Sequence, residues 1–109
     1  MSVKFGLSET QLNMIKNILT MAFRSKEKIL IYVFGSRATG KQRKYSDLDL
    51  WIETIPKVSD DELMALRTAF ENSELSIKID IVTSENCLEE YKDRIIQERI
   101  LWYENDQCQ

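Results

Sequence analysis

The sequence predicts a mixed α+β fold, a small mixed β-sheet with helices packed on one face, and three observations carry that prediction. Two segments open with capping boxes, "SETQ" and "SDDE", and each runs on into apolar residues at helical spacing. Two others, "DLDLWIE" and "SIKIDIVT", alternate apolar with polar residues at the period of a strand. Helical and strand segments are interleaved along 109 residues without a repeat or a low-complexity stretch. That length suits one core and a single domain over residues 1–109.

In the first helix, Ser8 caps the N-terminus and Gln11 reaches back to it. Leu12, Ile15, Ile18, Leu19 and Ala22 then recur on one side, so the spacing predicts a helix over 9–24. "ILIYVF", residues 29–34, is a continuous β-prone run and reads as a strand covered on both faces. Residues 35–46 hold two of the three glycines among polar and basic residues, a loop with room for one helical turn. In the 47–53 strand, Asp47, Asp49, Trp51 and Glu53 share one face, and Leu48, Leu50 and Ile52 the other. Pro56 closes it. Ser59 and Glu62 open a helix whose apolar side is Leu63, Leu66 and Phe70. The 76–83 strand sets Ile77, Ile79 and Ile81 against Lys78, Asp80 and Val82. A last helix over about 86–103 is expected from Leu88, Tyr91, Ile95, Ile96, Ile100 and Trp102. Of these, Tyr91, Ile95 and Trp102 read as core or interface.

Composition removes several functions. A formal charge of −3 argues against broad non-specific binding of nucleic acid. The absence of histidine excludes Ser-His-Asp triads, Cys-His pairs and His-based zinc sites. Cys87 and Cys108 have neither metal nor redox spacing and read as reduced bystanders. There is no apolar run of roughly 20 residues, and "MSVKFGLSET" has no apolar core of a secretion signal, so a cytoplasmic location is expected.

Any chemistry therefore falls to carboxylates. Two aspartates at i and i+2 of a strand point the same way, their Cβ atoms roughly 6.5 to 7 Å apart. If the strand carrying Asp80 lies alongside, the three carboxylates of Asp47, Asp49 and Asp80 converge. Their mutual repulsion is resolved by divalent cations, and oxygen donors without histidine suit Mg²⁺ bound together with substrate phosphates. "FGS" supplies the other half. Gly35 permits a tight turn at a strand end, and the Ser36 hydroxyl and neighbouring N–H groups can donate to phosphate oxygens. Arg37 adds positive charge nearby, whereas Lys41, Arg43 and Lys44 read as a solvated loop. Trp51 reads as a packing residue and Lys78 as a strand lysine facing solvent.

The pattern "GS", ten residues, then "DLD", followed by a lone strand aspartate in "IKIDIV", resembles the DNA polymerase beta-like nucleotidyltransferase superfamily, specifically its minimal nucleotidyltransferases. The likeness covers about residues 29–82. It implies that Gly35, Ser36 and Arg37 bind the triphosphate of ATP. It also implies that Asp47 and Asp49 ligate two Mg²⁺ ions and that Asp80 ligates the catalytic one, beside the attacking hydroxyl. The loop here is "GSRATG", whereas "GSRARG" is common in that class, a departure that removes one arginine from the loop and bears on triphosphate contact, not on the chemistry. The resemblance further implies a small helical HEPN-type partner, a toxin whose tyrosine hydroxyl receives AMP, with this chain as the antitoxin. The apolar final helix offers an alternative surface for a homodimer. Adenylylation of a small hydroxylated molecule with a separate substrate-binding subunit is a second reading. A non-catalytic nucleotide- or partner-binding module is a third.

Overall fold

The computed structural model describes residues 4–106. Its elements are α1 (Glu9–Ala22), β1 (Lys28–Phe34), α2 (Ser36–Thr39), β2 (Leu48–Ile55), α3 (Asp60–Glu71), β3 (Ile79–Val82), α4 (Glu89–Glu98) and β4 (Ile100–Asp106). The four strands form one sheet in the order β3-β2-β1-β4. β1 runs antiparallel to both β2 and β4, and β2 runs parallel to β3, with α3 as the crossover that a parallel pair requires. The mixed α/β class expected from the sequence is the one observed.

Both capping boxes form. The Ser8 and Ser59 hydroxyls accept from the N–H groups of Gln11 and Glu62, whose side chains accept in return from the cap N–H groups. These caps start α1 and α3 where their apolar stripes can reach the sheet. Ile15 and Leu19 of α1, with Leu63, Leu66 and Phe70 of α3, pack on Ile29, Ile31 and Val33 of β1, Leu48, Leu50 and Ile52 of β2, and Ile79 and Ile81 of β3. A buried cation ties the two helices to this layer. Lys26, after α1, donates to Glu62 Oε1 at 2.9 Å and to the Lys57 carbonyl at 3.2 Å.

Two expectations are corrected. β1 is buried on alternate residues only: Leu30, Tyr32 and Phe34 stay half-buried because α1 and α3 both pack on the opposite face. The predicted final helix over 86–103 is two elements. The helix stops at Glu98, Arg99 turns extended, and 100–106 pair with β1 as a strand. The β-prone run "ILWY" gains sheet partners there that a continued helix would not provide. The pairing register shifts between Ile31 and Tyr32, opposite Trp102, so Trp102 and Tyr103 both pack against the core.

Candidate active site

The parallel register of β2 and β3 sets Asp49 directly opposite Asp80. Each alternates with buried leucines or isoleucines that anchor its strand from the core side, so both carboxylates are held on the opposite face. Asp47 lies just before β2 and is exposed. Asp49 bears the electrostatic cost of this arrangement. Burial, then the charges of Asp80 and Asp47, then a hydrogen bond with Asp80 and the charge of Glu98, push its pKa up to about 6.

Gly35 sits between β1 and α2 with φ 77° and ψ −154°, a conformation that L side chains avoid. A Cβ at this position would also overlap Asp49 Oδ2, so glycine is required twice, for the turn and for the close approach of the carboxylate. Its carbonyl accepts from the Ala38 and Thr39 N–H groups, and its own N–H donates to Glu98 Oε1 at 3.1 Å. Ser36 begins α2, half-buried beside it.

Arg37 occupies a different place from the one a phosphate ligand needs. It is 2% exposed, and its guanidinium donates to the carbonyls of Phe5, Arg43, Lys44 and Ser46 at 2.8 to 3.5 Å. Burial lowers its pKa from the ordinary arginine value. Arg37 thereby shapes the loop that ends at Asp47. Lys41, Arg43 and Lys44 are exposed on that loop, and Lys78 pairs with Asp80 at 3.5 Å.

Beyond the aspartates opens a cleft of about 480 Å³ whose far wall is α4, including Tyr91, Ile95 and Glu98. Trp51 is 2% exposed on the same side of β2 as Asp49. Its Nε1 donates to Glu53 at 2.8 Å, and Glu53 also accepts from Arg99 Nη1 at 2.9 Å. The Arg99 guanidinium lies 3.9 Å from the centre of the Tyr32 ring. This cluster holds the end of α4 against the sheet. Reading α4 as one long helix hid Glu98, Arg94 and Tyr91 as site neighbours, although their spacing of three and four residues marks a common face.

Among the described residues, no three acidic side chains close around a single point as a finished cation cage. The donors present are the carboxylates of Asp49 and Asp80, side by side on adjacent strands, and that of Asp47, exposed just before β2. Such an open set of hard oxygen donors fits Mg²⁺, which completes its shell with water and substrate phosphates.

Comparison with known proteins agrees with this geometry. The sequence pattern of the family "Polymerase beta, Nucleotidyltransferase" matches residues 13–108. The chain belongs to the polymerase beta nucleotidyltransferase family. A relative within reach by sequence is the "Probable protein adenylyltransferase MntA" of Haemophilus influenzae, 35% identical over 68 residues, 60% of this chain and 57% of that protein. This nucleotidyltransferase chain thus spans little more than half of that relative's length. A solved structure described as a minimal nucleotidyltransferase superposes with a TM-score of 0.63 at 25% identity, covering 90% of this chain and 95% of its own. A crystal structure described as a toxin-antitoxin with AMP-PNP superposes with a TM-score of 0.64 at 20% identity, covering 84% of this chain and 75% of its own, and shows the shared fold. No helix among the described residues of this family member is long and apolar enough to cross a membrane.

Proposed function

We propose that this chain is a Mg²⁺-dependent nucleotidyltransferase that moves AMP from ATP to a hydroxyl of a partner protein, a tyrosine of a small helical HEPN-type toxin. The single observation that carries the chemistry is the opposition of Asp49 and Asp80 beside the Gly35 turn. The protein acceptor and the antitoxin role are supported by the name of the Haemophilus influenzae relative and by the toxin-antitoxin description of a structure sharing the fold.

In the proposed reaction the acceptor oxygen attacks the α-phosphorus of ATP. One new P–O bond forms, the bond to the oxygen bridging the α- and β-phosphorus breaks, and pyrophosphate leaves. Asp80, facing the cleft from β3, takes the hydroxyl proton on a carboxylate oxygen. In this reading the Ser36 hydroxyl and the Gly35 N–H, the latter released from Glu98 Oε1, donate to the departing phosphates. Arg37 acts one step removed, holding the Ser46 carbonyl and so the approach of Asp47. Asp47, Asp49 and Asp80 are the residues that would hold two Mg²⁺ ions, which when bound would neutralise charge on the carboxylates, the attacking oxygen and the leaving pyrophosphate.

The test is label transfer from ATP labelled on the α-phosphate, using lysate from the natural source and Asp80→Asn protein as control. A labelled protein band that disappears with the variant is expected. Label confined to small molecules would replace the protein acceptor by a small hydroxylated one. ATP binding without any transfer would leave a binding module and overturn the enzymatic reading.

A further inference from the structure

The cleft beside the aspartates extends past the carboxylates and the Gly35 turn to α4, which forms its far side. Tyr91, Ile95 and Glu98 follow one another at intervals of four and three residues and share one face of α4, Leu88 precedes them at the extended N-cap, and all four line the cleft. The two ends of this face differ in chemistry. At one end Glu98 Oε1 accepts the Gly35 N–H at 3.1 Å, which fixes that end of the helix against the turn. At the other end Tyr91 and Leu88 are 51% and 60% exposed despite their size. Seven residues of helix separate Tyr91 from Glu98, about 10 Å along the axis. The cleft therefore passes from backbone N–H groups and carboxylates to an aromatic and aliphatic surface over the length of a nucleotide. Its volume of about 480 Å³ falls within the range of small-molecule sites.

We propose that this face of α4 seats the nucleoside half of the nucleotide, with a purine base stacked on Tyr91 and Leu88 while the phosphates lie towards Gly35. The proposal rests on the nucleotidyltransferase reading and adds to it a base site and a base preference. Stacking needs a flat π-face and no particular pattern of donors, so the site accepts adenine and guanine alike. It disfavours pyrimidines, whose single ring covers less of the wall. When phosphate takes the Gly35 N–H, Glu98 gives it up, and Arg94, whose Nε lies 3.8 Å from Glu98 Oε2, remains as its partner.

Calorimetric titration in the presence of Mg²⁺ tests this, with ATP, CTP and inorganic tripolyphosphate as ligands and wild type, Tyr91→Phe and Tyr91→Ala as proteins. Tyr91→Ala is expected to weaken ATP about tenfold, the loss typical of a stacked base. Tripolyphosphate should bind all three proteins equally, Tyr91→Phe should hold ATP as wild type does, and CTP should bind wild type more weakly than ATP. Unchanged ATP affinity in Tyr91→Ala overturns the base site. Equal weakening of ATP and tripolyphosphate also overturns it, because the effect is then on the fold or the turn. Failure of wild type to bind either ligand removes the nucleotidyltransferase reading itself.

Discussion

At the scale of single residues, the charge on Asp49 works against the fold that displays it. Its pKa of about 6 lies above the ordinary aspartate value of 3.8, so between these values the native state binds more protons than the unfolded chain. Stability from this group is full below about pH 4 and is lost as the pH rises through 6. At neutral pH without divalent cations, Asp49→Asn is therefore expected to stabilise the protein by about 1–2 kcal/mol, allowing for partial solvent screening. Thermal melts should show a higher Tm for the variant at pH 7.5, a gap that closes towards pH 4, and stabilisation by Mg²⁺ of wild type only. A variant that melts lower than wild type at pH 7.5 would mean the carboxylates do not repel. Glu62 behaves oppositely. The hydrogen bond from Lys26 lowers its pKa, so its contribution is present above about pH 4.5 and is lost as the pH falls through the lower native value. Glu62→Gln keeps an acceptor for the Ser59 N–H but leaves the buried Lys26 ammonium without its counter-charge. A loss of about 1 kcal/mol at pH 7, shrinking as acid protonates wild-type Glu62, is expected in urea unfolding.

At the scale of elements, Arg99 decides where α4 ends and what it faces. It occupies the joint between α4 and β4, pairs with Glu53 and covers Tyr32 and Trp51. Arg99→Ala should cost about 1–2 kcal/mol through the lost charged hydrogen bond and stacking. Because Trp51 is almost wholly covered, its fluorescence should shift to the red in the folded variant. An unshifted spectrum would mean that other groups bury the ring. This joint is also where the sequence was least legible. The helices over 9–22 and 60–71 are marked by capping boxes and the strands by alternation, because these signals are local. The break at Arg99 carries neither glycine nor proline, and Ile95, Ile96 and Ile100 suit a helix as well as a strand. Only the pairing with β1, more than sixty residues earlier, makes 100–106 a strand. The same distinction runs through the site. The neighbourhood of Gly35, Asp49 and Asp80 was readable from spacing and alternation, whereas the burial of Arg37 depends on where the backbone carbonyls of Phe5 and Ser46 come to rest.

At the scale of the whole molecule, one sheet separates stability from chemistry. Its inner face carries the apolar residues packed under α1 and α3, and its outer face carries Asp49, Asp80 and the cleft walled by α4. β2 belongs to both, since Leu48, Leu50 and Ile52 point inwards while Asp49, between the first two, points out. Adjacent residues should therefore have opposite mutational signatures. Leu50 is fully buried, so Leu50→Ala removes core volume and is expected to cost about 2–5 kcal/mol. Because the outward carboxylates are positioned by the backbone register and not by the leucine side chain, the folded fraction should retain its ATP affinity. Asp49→Asn should do the reverse, raising the melting temperature and abolishing Mg²⁺-dependent nucleotide binding. Urea unfolding and ATP titration of both variants at low temperature, where Leu50→Ala remains folded, measure the two quantities separately. If Leu50→Ala weakened ATP binding in its folded state as much as it weakened the fold, the two faces would be mechanically coupled, and the site would depend on core packing rather than on strand register.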